Sequence, residues 1–216
     1  MKDKNIRKII TTLIFVLLNY STPAWSGIID CSLTYTRGDR ILCEYAKLVD
    51  AGDNVPAFKM IKSLAEKGNE KAEYFLGQMY ERGLGTEKNQ RKAAKWYKRS
   101  ADQGLANAQY KVGYLYLDGP AVLKNYSEAA KWFKLSAAQG FVQSQRVLGA
   151  LYQEGIGVIR DKLLAHTWYN IASSNGSKLA KHLRDELEVE LTPEDISKAT
   201  AMARECMASD YKKCGY

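Results

Sequence analysis

Gly68, Gly104, Gly140 and Gly176 stand 36 residues apart, and the same step runs through column after column of the chain. Leu76, Val112 and Leu148 keep it, as do Gly77, Gly113 and Gly149; Tyr80, Tyr116 and Tyr152; and Gly83, Gly119 and Gly155. A second set follows within each unit: Ala93, Ala129 and Ala165; Trp96, Trp132 and Trp168; Tyr97, Phe133 and Tyr169. The stretch AAKWYKRSADQG at 93–104 returns almost unchanged as AAKWFKLSAAQG at 129–140. A fixed period between about 20 and 50 residues marks stacked repeats, in which a neighbour completes the core that one unit cannot close alone.

Each unit resolves into two helices. Ala72, Leu76 and Tyr80 fall four apart, one stripe of a 3.6-residue helix that Gly83 ends. Ala93, Trp96, Tyr97 and Ser100 share a face of a second helix, ended by Gly104. The spacing therefore predicts an all-α solenoid of 36-residue helix-turn-helix repeats, with full repeats at about 69–104, 105–140 and 141–176 inside an array spanning 57–190. Gly77 falls mid-helix, where glycine costs about 1 kcal/mol against alanine, so its column implies close helix–helix contact. The Trp-Tyr pair reads as core, and truncating Trp132 to Ala is expected to cost about 3–5 kcal/mol.

The ends depart from the pattern, as solenoid caps do. At the N-terminal side a segment holding Cys31 and Cys43 (27–56) takes the place of the matching first helix. Downstream, Asp185 stands in the Gly77 column and Glu188 in the Tyr80 column, a polar outer surface. The last segment, 191–216, opens a capping helix with Thr192 as N-cap and Pro193 in the first turn.

Residues 1–26 read as a signal peptide: Lys2, Lys4, Arg7 and Lys8, then the apolar run Ile9 to Leu18, then Ala24-Trp25-Ser26 before a cut at Gly27. The run falls short of the ~20 residues a spanning helix needs, with an uncleaved anchor as the alternative. Cleavage leaves no stable membrane anchor and lowers the formal charge from +8 to about +5. That charge is spread out, without a basic run interleaved with aromatics, so no nucleic-acid partner is expected. The four cysteines, Cys31, Cys43, Cys206 and Cys214, read as disulfides in an exported chain. Three pairings are open; the local ones, Cys31–Cys43 and Cys206–Cys214, are preferred because each closes a short loop worth roughly 3 kcal/mol. Zinc is the competitor, but neither pair has C-x₂₋₄-C spacing. No cofactor and no metal site are expected.

The units AEYFLGQMYERGLG…AAKWYKRSADQG, AQYKVGYLYLDG…AAKWFKLSAAQG and SQRVLGALYQEGIG…AHTWYNIASSNG resemble Sel1-like repeats, relatives of the tetratricopeptide repeat. Pro120-Ala121 replaces the second loop glycine in the second unit, and Ser144 stands for Ala in the third. The resemblance implies a right-handed αα superhelix that assembles other proteins, often in bacterial envelopes; the periplasm is the expected address, secretion toward a host the alternative. Some cysteine-rich secreted relatives have been linked to β-lactam binding or hydrolysis, but they carry a cysteine pair within each repeat, and this chain has none there.

Little points to catalysis. His166 shares a column with Ala94 and Ala130 and reads as a half-exposed surface residue, and His182 lies among polar neighbours. Ser209-Asp210-Tyr211-Lys212 has the S-x-x-K spacing of serine β-lactamases but lacks the S-D-N and K-T-G partners. By analogy with the tetratricopeptide groove, a protein or peptide partner would meet the first helices of the repeats. The candidates are Lys71, Tyr74, Gln78 and Arg82; then Asn107, Tyr110, Tyr114 and Asp118; then Gln143, Arg146, Gln153 and Glu154. Exposed tyrosines near Asn and Arg have a hot-spot composition. For Tyr74 and Tyr110, packing between neighbouring helices is an equal alternative. Tyr114, whose column holds Gln78 and Ala150, is expected to bind partner at little cost in stability.

Overall fold

A computed structural model describes Ile29, residues 31–32, 36–119 and 121–214. The expected signal segment 1–26 and Pro120 lie outside the described residues. Among the described residues there are ten helices and no strand. They fall into two compact units, 1–96 and 97–216, divided within one helix.

In the first unit, α1 (Arg37–Asp50) is followed by α2 (Asn54–Glu66), α3 (Glu70–Arg82) and the start of α4 (Gln90–Asp102). The 36-residue columns gave no sign of α1, yet it packs on α2 as the first helix of a repeat packs on the second. Its start is fixed by a capping box: the Thr36 hydroxyl accepts from the Asp39 amide at 3.1 Å, and the Asp39 carboxylate accepts from the Thr36 amide at 3.0 Å. A Cys31–Cys43 disulfide, with Cα atoms 5.6 Å apart, ties the preceding segment to the helix. Leu42 and Tyr45 face inward with Ile61, Phe75 and Met79, and the Tyr45 and Phe75 rings lie 5.1 Å apart.

The second unit continues α4 into α5 (Ala106–Asp118), α6 (Tyr126–Ala137), α7 (Val142–Glu154), α8 (Lys162–Ser174), α9 (Lys178–Glu188) and α10 (Pro193–Ala208). Each of α5 to α8 packs on the next, and α8 also carries α10. The core column is Tyr97, Phe133 and Tyr169, at most 1 % exposed. The repeated glycine serves it: a Cβ on Gly113 would lie 2.8 Å from Phe133 Cε1, and one on Gly149 would lie 2.5 Å from Tyr169 Cδ1. The loop glycine Gly157 has φ +71° and sits so close to the Tyr126 carbonyl that a Cβ would overlap it at 2.0 Å.

The tryptophan column behaves differently from expectation. Trp168 is fully buried, but Trp96 and Trp132 are only half-buried. Lys98 Nζ stands 4.9 Å over the Trp132 ring, a cation–π contact available because that face is not closed by protein. Truncation of Trp132 therefore costs less than the fully buried range expected from the sequence. The helix of Trp168, α8, has α10 packed on it besides its two neighbours in the chain, and among the described residues α6 has no such third helix.

Buried polar groups stitch the second unit together at the same step. Gln109 donates to the Ala101 carbonyl at 3.4 Å and accepts from Gln139 at 2.8 Å. Gln145 repeats this with the Ala137 carbonyl at 3.3 Å and Asn175 at 2.8 Å. Ser144, in a column otherwise of alanine, is fully buried and donates to Ser136 Oγ at 2.7 Å, so its hydroxyl is satisfied. A Cys206–Cys214 disulfide, Cα atoms 4.5 Å apart, folds the tail back after α10, where Tyr211 Oη accepts from Asn175 at 2.9 Å.

Candidate partner-binding face

In the first unit the candidate residues divide by depth. Lys71 is half-buried and Arg82, in the last turn of α3, is exposed. Tyr74 and Gln78 are both 5 % exposed, contrary to a hot-spot role, and Gln78 Nε2 donates to Tyr74 Oη at 3.0 Å. Burial pushes the Tyr74 and Tyr45 hydroxyls well above the usual tyrosine range, while the Arg82 charge acts on both in the opposite sense. These tyrosines pack, and stay protonated.

In the second unit the candidate tyrosines also turn inward. Tyr110 is 5 % exposed and meets Tyr114, Phe141 and Phe133 edge-on, with centroids 4.9, 5.2 and 5.9 Å away. Tyr114 is half-buried, with its ring 5.3 Å from Phe133 and its hydroxyl sealed from solvent. Its truncation would open the aromatic cluster, so the expectation of little cost in stability is corrected. Asn107, Asp118 and Gln143 are half-exposed on the same two helices, and Lys124 ion-pairs with Asp118. Gln153 is half-exposed and its Oε1 accepts from Tyr169 Oη at 2.9 Å, while Glu154 is exposed.

Arg146 stands apart. It occupies the column of the buried Tyr74 and Tyr110 and is itself only 4 % exposed. Among the described residues it makes no hydrogen bond and no ion pair, and it acts on its neighbours through its charge. Burial raises the Tyr114 and Tyr169 hydroxyls, and the Arg146 charge acts on both in the opposite sense. The sequence named Arg146 as one groove residue among twelve. Its column, tyrosine in the other repeats, was the signal that it would be buried.

The catalytic candidates acquire structural partners. His166 is 1 % exposed rather than half-exposed, and its Nε2 pairs with Glu188 Oε1 at 2.9 Å. Ala130 and Tyr152 hold the equivalent positions one repeat earlier, both buried, so this pair replaces a small–aromatic pair where α9 ends the array. Ser209 Oγ donates to the Cys206 carbonyl at 2.9 Å and accepts from the Lys213 amide at 2.9 Å, closing the turn after α10. No cluster of three or more metal-binding side chains occurs among the described residues.

The sequence profile of the Sel1 repeat matches residues 70–105, 106–141 and 142–177, half of the chain. The chain belongs to the Sel1 repeat family. Its fold is accordingly the all-α repeat solenoid of that family. Among solved structures it is similar to a Sel1 repeat protein from Oxalobacter formigenes, at 35 % identity and a TM-score of 0.56 over 58 % of this chain and 95 % of that one. Two others are similar at lower scores. One is c5321, a protective antigen of uropathogenic Escherichia coli strains displaying an SLR fold, at 27 % identity and TM-score 0.48 over 72 % of this chain and 42 % of that one. The other is Helicobacter pylori cysteine rich protein B, at 15 % identity and TM-score 0.44 over 70 % and 99 %. No curated protein sequence matches the chain.

Proposed function

We propose that this Sel1 repeat protein is an exported, non-enzymatic scaffold of the bacterial envelope that holds a protein or peptide partner on the first helices of its repeats. Sel1 repeat proteins generally act as protein–protein interaction scaffolds, and the array is their signature. One observation carries the reading to a particular face. On the first helices α5 and α7, half-exposed Asn107, Tyr114, Asp118 and Gln143 leave polar groups and one aromatic ring open to a partner, while Tyr110 is buried edge-on against Tyr114. Export is supported by the signal-like residues 1–26 and by two disulfides, which persist in oxidising compartments. No helix among the described residues is long and apolar enough to cross a membrane.

The test is cross-linking capture from envelope extract with the wild type and with Asn107→Arg/Gln143→Arg. Both positions are partly open, so the variant is expected to keep its melting temperature while crowding the face. The expected result is a small set of proteins enriched by the wild type and lost by the variant. Equal recovery by both would remove the face from the function, and no enrichment by either would remove the scaffold reading itself.

A further inference from the structure

Arg146 poses a problem that the fold by itself does not solve. A guanidinium in the interior is ordinarily paired, because an unpaired buried charge forfeits its hydration with nothing in return. Here the side chain is 4 % exposed and has neither hydrogen bond nor ion pair among the described residues. None of its nitrogens belongs to the buried atoms cut off from solvent, so the small opening it keeps reaches the guanidinium. Two tyrosine hydroxyls, Tyr114 from α5 and Tyr169 from α8, lie within its electrostatic reach. Glu154 and Glu186 also act on Tyr169 from exposed positions, but neither forms an ion pair with Arg146.

We propose that Arg146 is a receptor for one carboxylate, the side chain of a glutamate or aspartate within the partner segment. The inference rests on the scaffold reading and names the chemistry it would recognise. A carboxylate offers two oxygens to the planar fork of a guanidinium and supplies the charge that the interior withholds. The depth of the side chain, only 4 % exposed, holds it out of bulk water and strengthens such a pair. The acid belongs inside a chain rather than at its end. Gln143, Arg146, Ala150 and Gln153 follow one another at helical spacing along the same face of α7, so the surface continues on both sides of the arginine. A terminal carboxylate would leave half of that face uncovered.

The test observes the Arg146 Nε–Hε signal of the full mature chain by ¹⁵N NMR, assigned by its loss in Arg146→Met. The probes are pools of capped heptapeptides of apolar and neutral polar residues with a central Glu, the same pools with Gln, and Gln pools with a free C-terminal carboxylate. The Glu pool is expected to shift the signal, with the Gln pool silent and the free-terminus pool at least tenfold weaker. Arg146→Met should bind the Glu pool roughly 30-fold more weakly or worse, while its melting temperature stays level or rises, because an unpaired buried charge has gone. A silent Glu pool, or a free terminus that binds as well as internal Glu, overturns the proposal. A lower melting temperature in Arg146→Met does so too, since it would make the arginine a structural cation balanced within the chain. Envelope capture separates this failure from the wider one: proteins retained by Arg146→Met but lost by Asn107→Arg/Gln143→Arg would leave the scaffold standing without its carboxylate receptor.

Discussion

At Gly113 and Gly149 two effects of a single methyl oppose each other. Alanine in place of a mid-helix glycine gains about 1 kcal/mol of helix propensity. The added Cβ would also stand 2.8 Å from Phe133 and 2.5 Å from Tyr169, against fully packed rings that cannot recede. Overpacking of this kind costs about 1–3 kcal/mol. The clash wins at both sites, and by more at Gly149 where the approach is shorter. Urea titration should therefore find both Gly→Ala variants less stable than wild type, with Gly149→Ala the worse. Pairing Gly113→Ala with Phe133→Leu should recover part of the loss; a stabilised Gly149→Ala would mean the two helices slide apart at little cost. The glycine columns were legible because a missing side chain recurs as a letter. Depth was not. Trp132 and Trp168 share a column but differ in burial, and His166 is sealed beside Glu188 although its own helix looks polar there. A periodic sequence repeats its letters, whereas burial depends on what the neighbouring unit supplies.

At the scale of helices, the second helix of every full repeat begins in the same way. Asn89, Asn125 and Asp161, each 36 residues from the next, accept through the side chain from the amides of Lys92, Glu128 and Leu164 at 2.9, 3.1 and 2.9 Å. Their own amides donate to the carbonyls of Tyr80, Tyr116 and Tyr152, which pins each loop to the helix before it. Alanine at Asn125 loses the side-chain cap and keeps the amide bond, so it should cost about 1 kcal/mol in denaturant unfolding. A cost within error would mean that the loop bond alone sets the helix start. The first of the described helices is hidden for a related reason: α1 shares none of the columns, and its evidence in the sequence is the Thr36-x-x-Asp39 cap. The Thr36 hydroxyl and amide both donate to the Asp39 carboxylate and hold it below the usual carboxylate range. A depressed folded-state value stabilises α1 fully above the unfolded value near 4, and the benefit is lost as pH falls through the folded one. Thermal unfolding of wild type and Asp39→Asn should accordingly differ at pH 6 and converge toward pH 2. A difference that stays constant over that range would show that the charge of Asp39 adds nothing to the cap.

For the whole molecule, the regular part of the chain was open to sequence reading because each repeat meets nearly the same surroundings, and the terminal part was obscure because it meets unlike ones. A solenoid's last unit exposes a face that every inner unit buries, and the chain must cover it with something outside the pattern. Here α10 does so. It packs on α8, where Thr167 is fully buried and its Oγ1 donates to the Ala199 carbonyl at 3.3 Å and to its own Leu163 carbonyl at 2.8 Å. Trp168, on the same helix, has no exposed surface, unlike the two tryptophans of the earlier repeats. A chain ending at residue 190 loses α10, the Cys206–Cys214 loop and the Tyr211–Asn175 bond together. With Trp25, Trp96 and Trp132 replaced by Phe, Trp168 becomes a lone reporter of that loss. Its emission should move to the red and its acrylamide quenching should rise on truncation, with a drop of about 2 kcal/mol or more in stability for the uncovered apolar surface. An unchanged spectrum and melting temperature would mean that α8 and α9 close the array without help, leaving α10 an appendage rather than the cap that lets the repeats end.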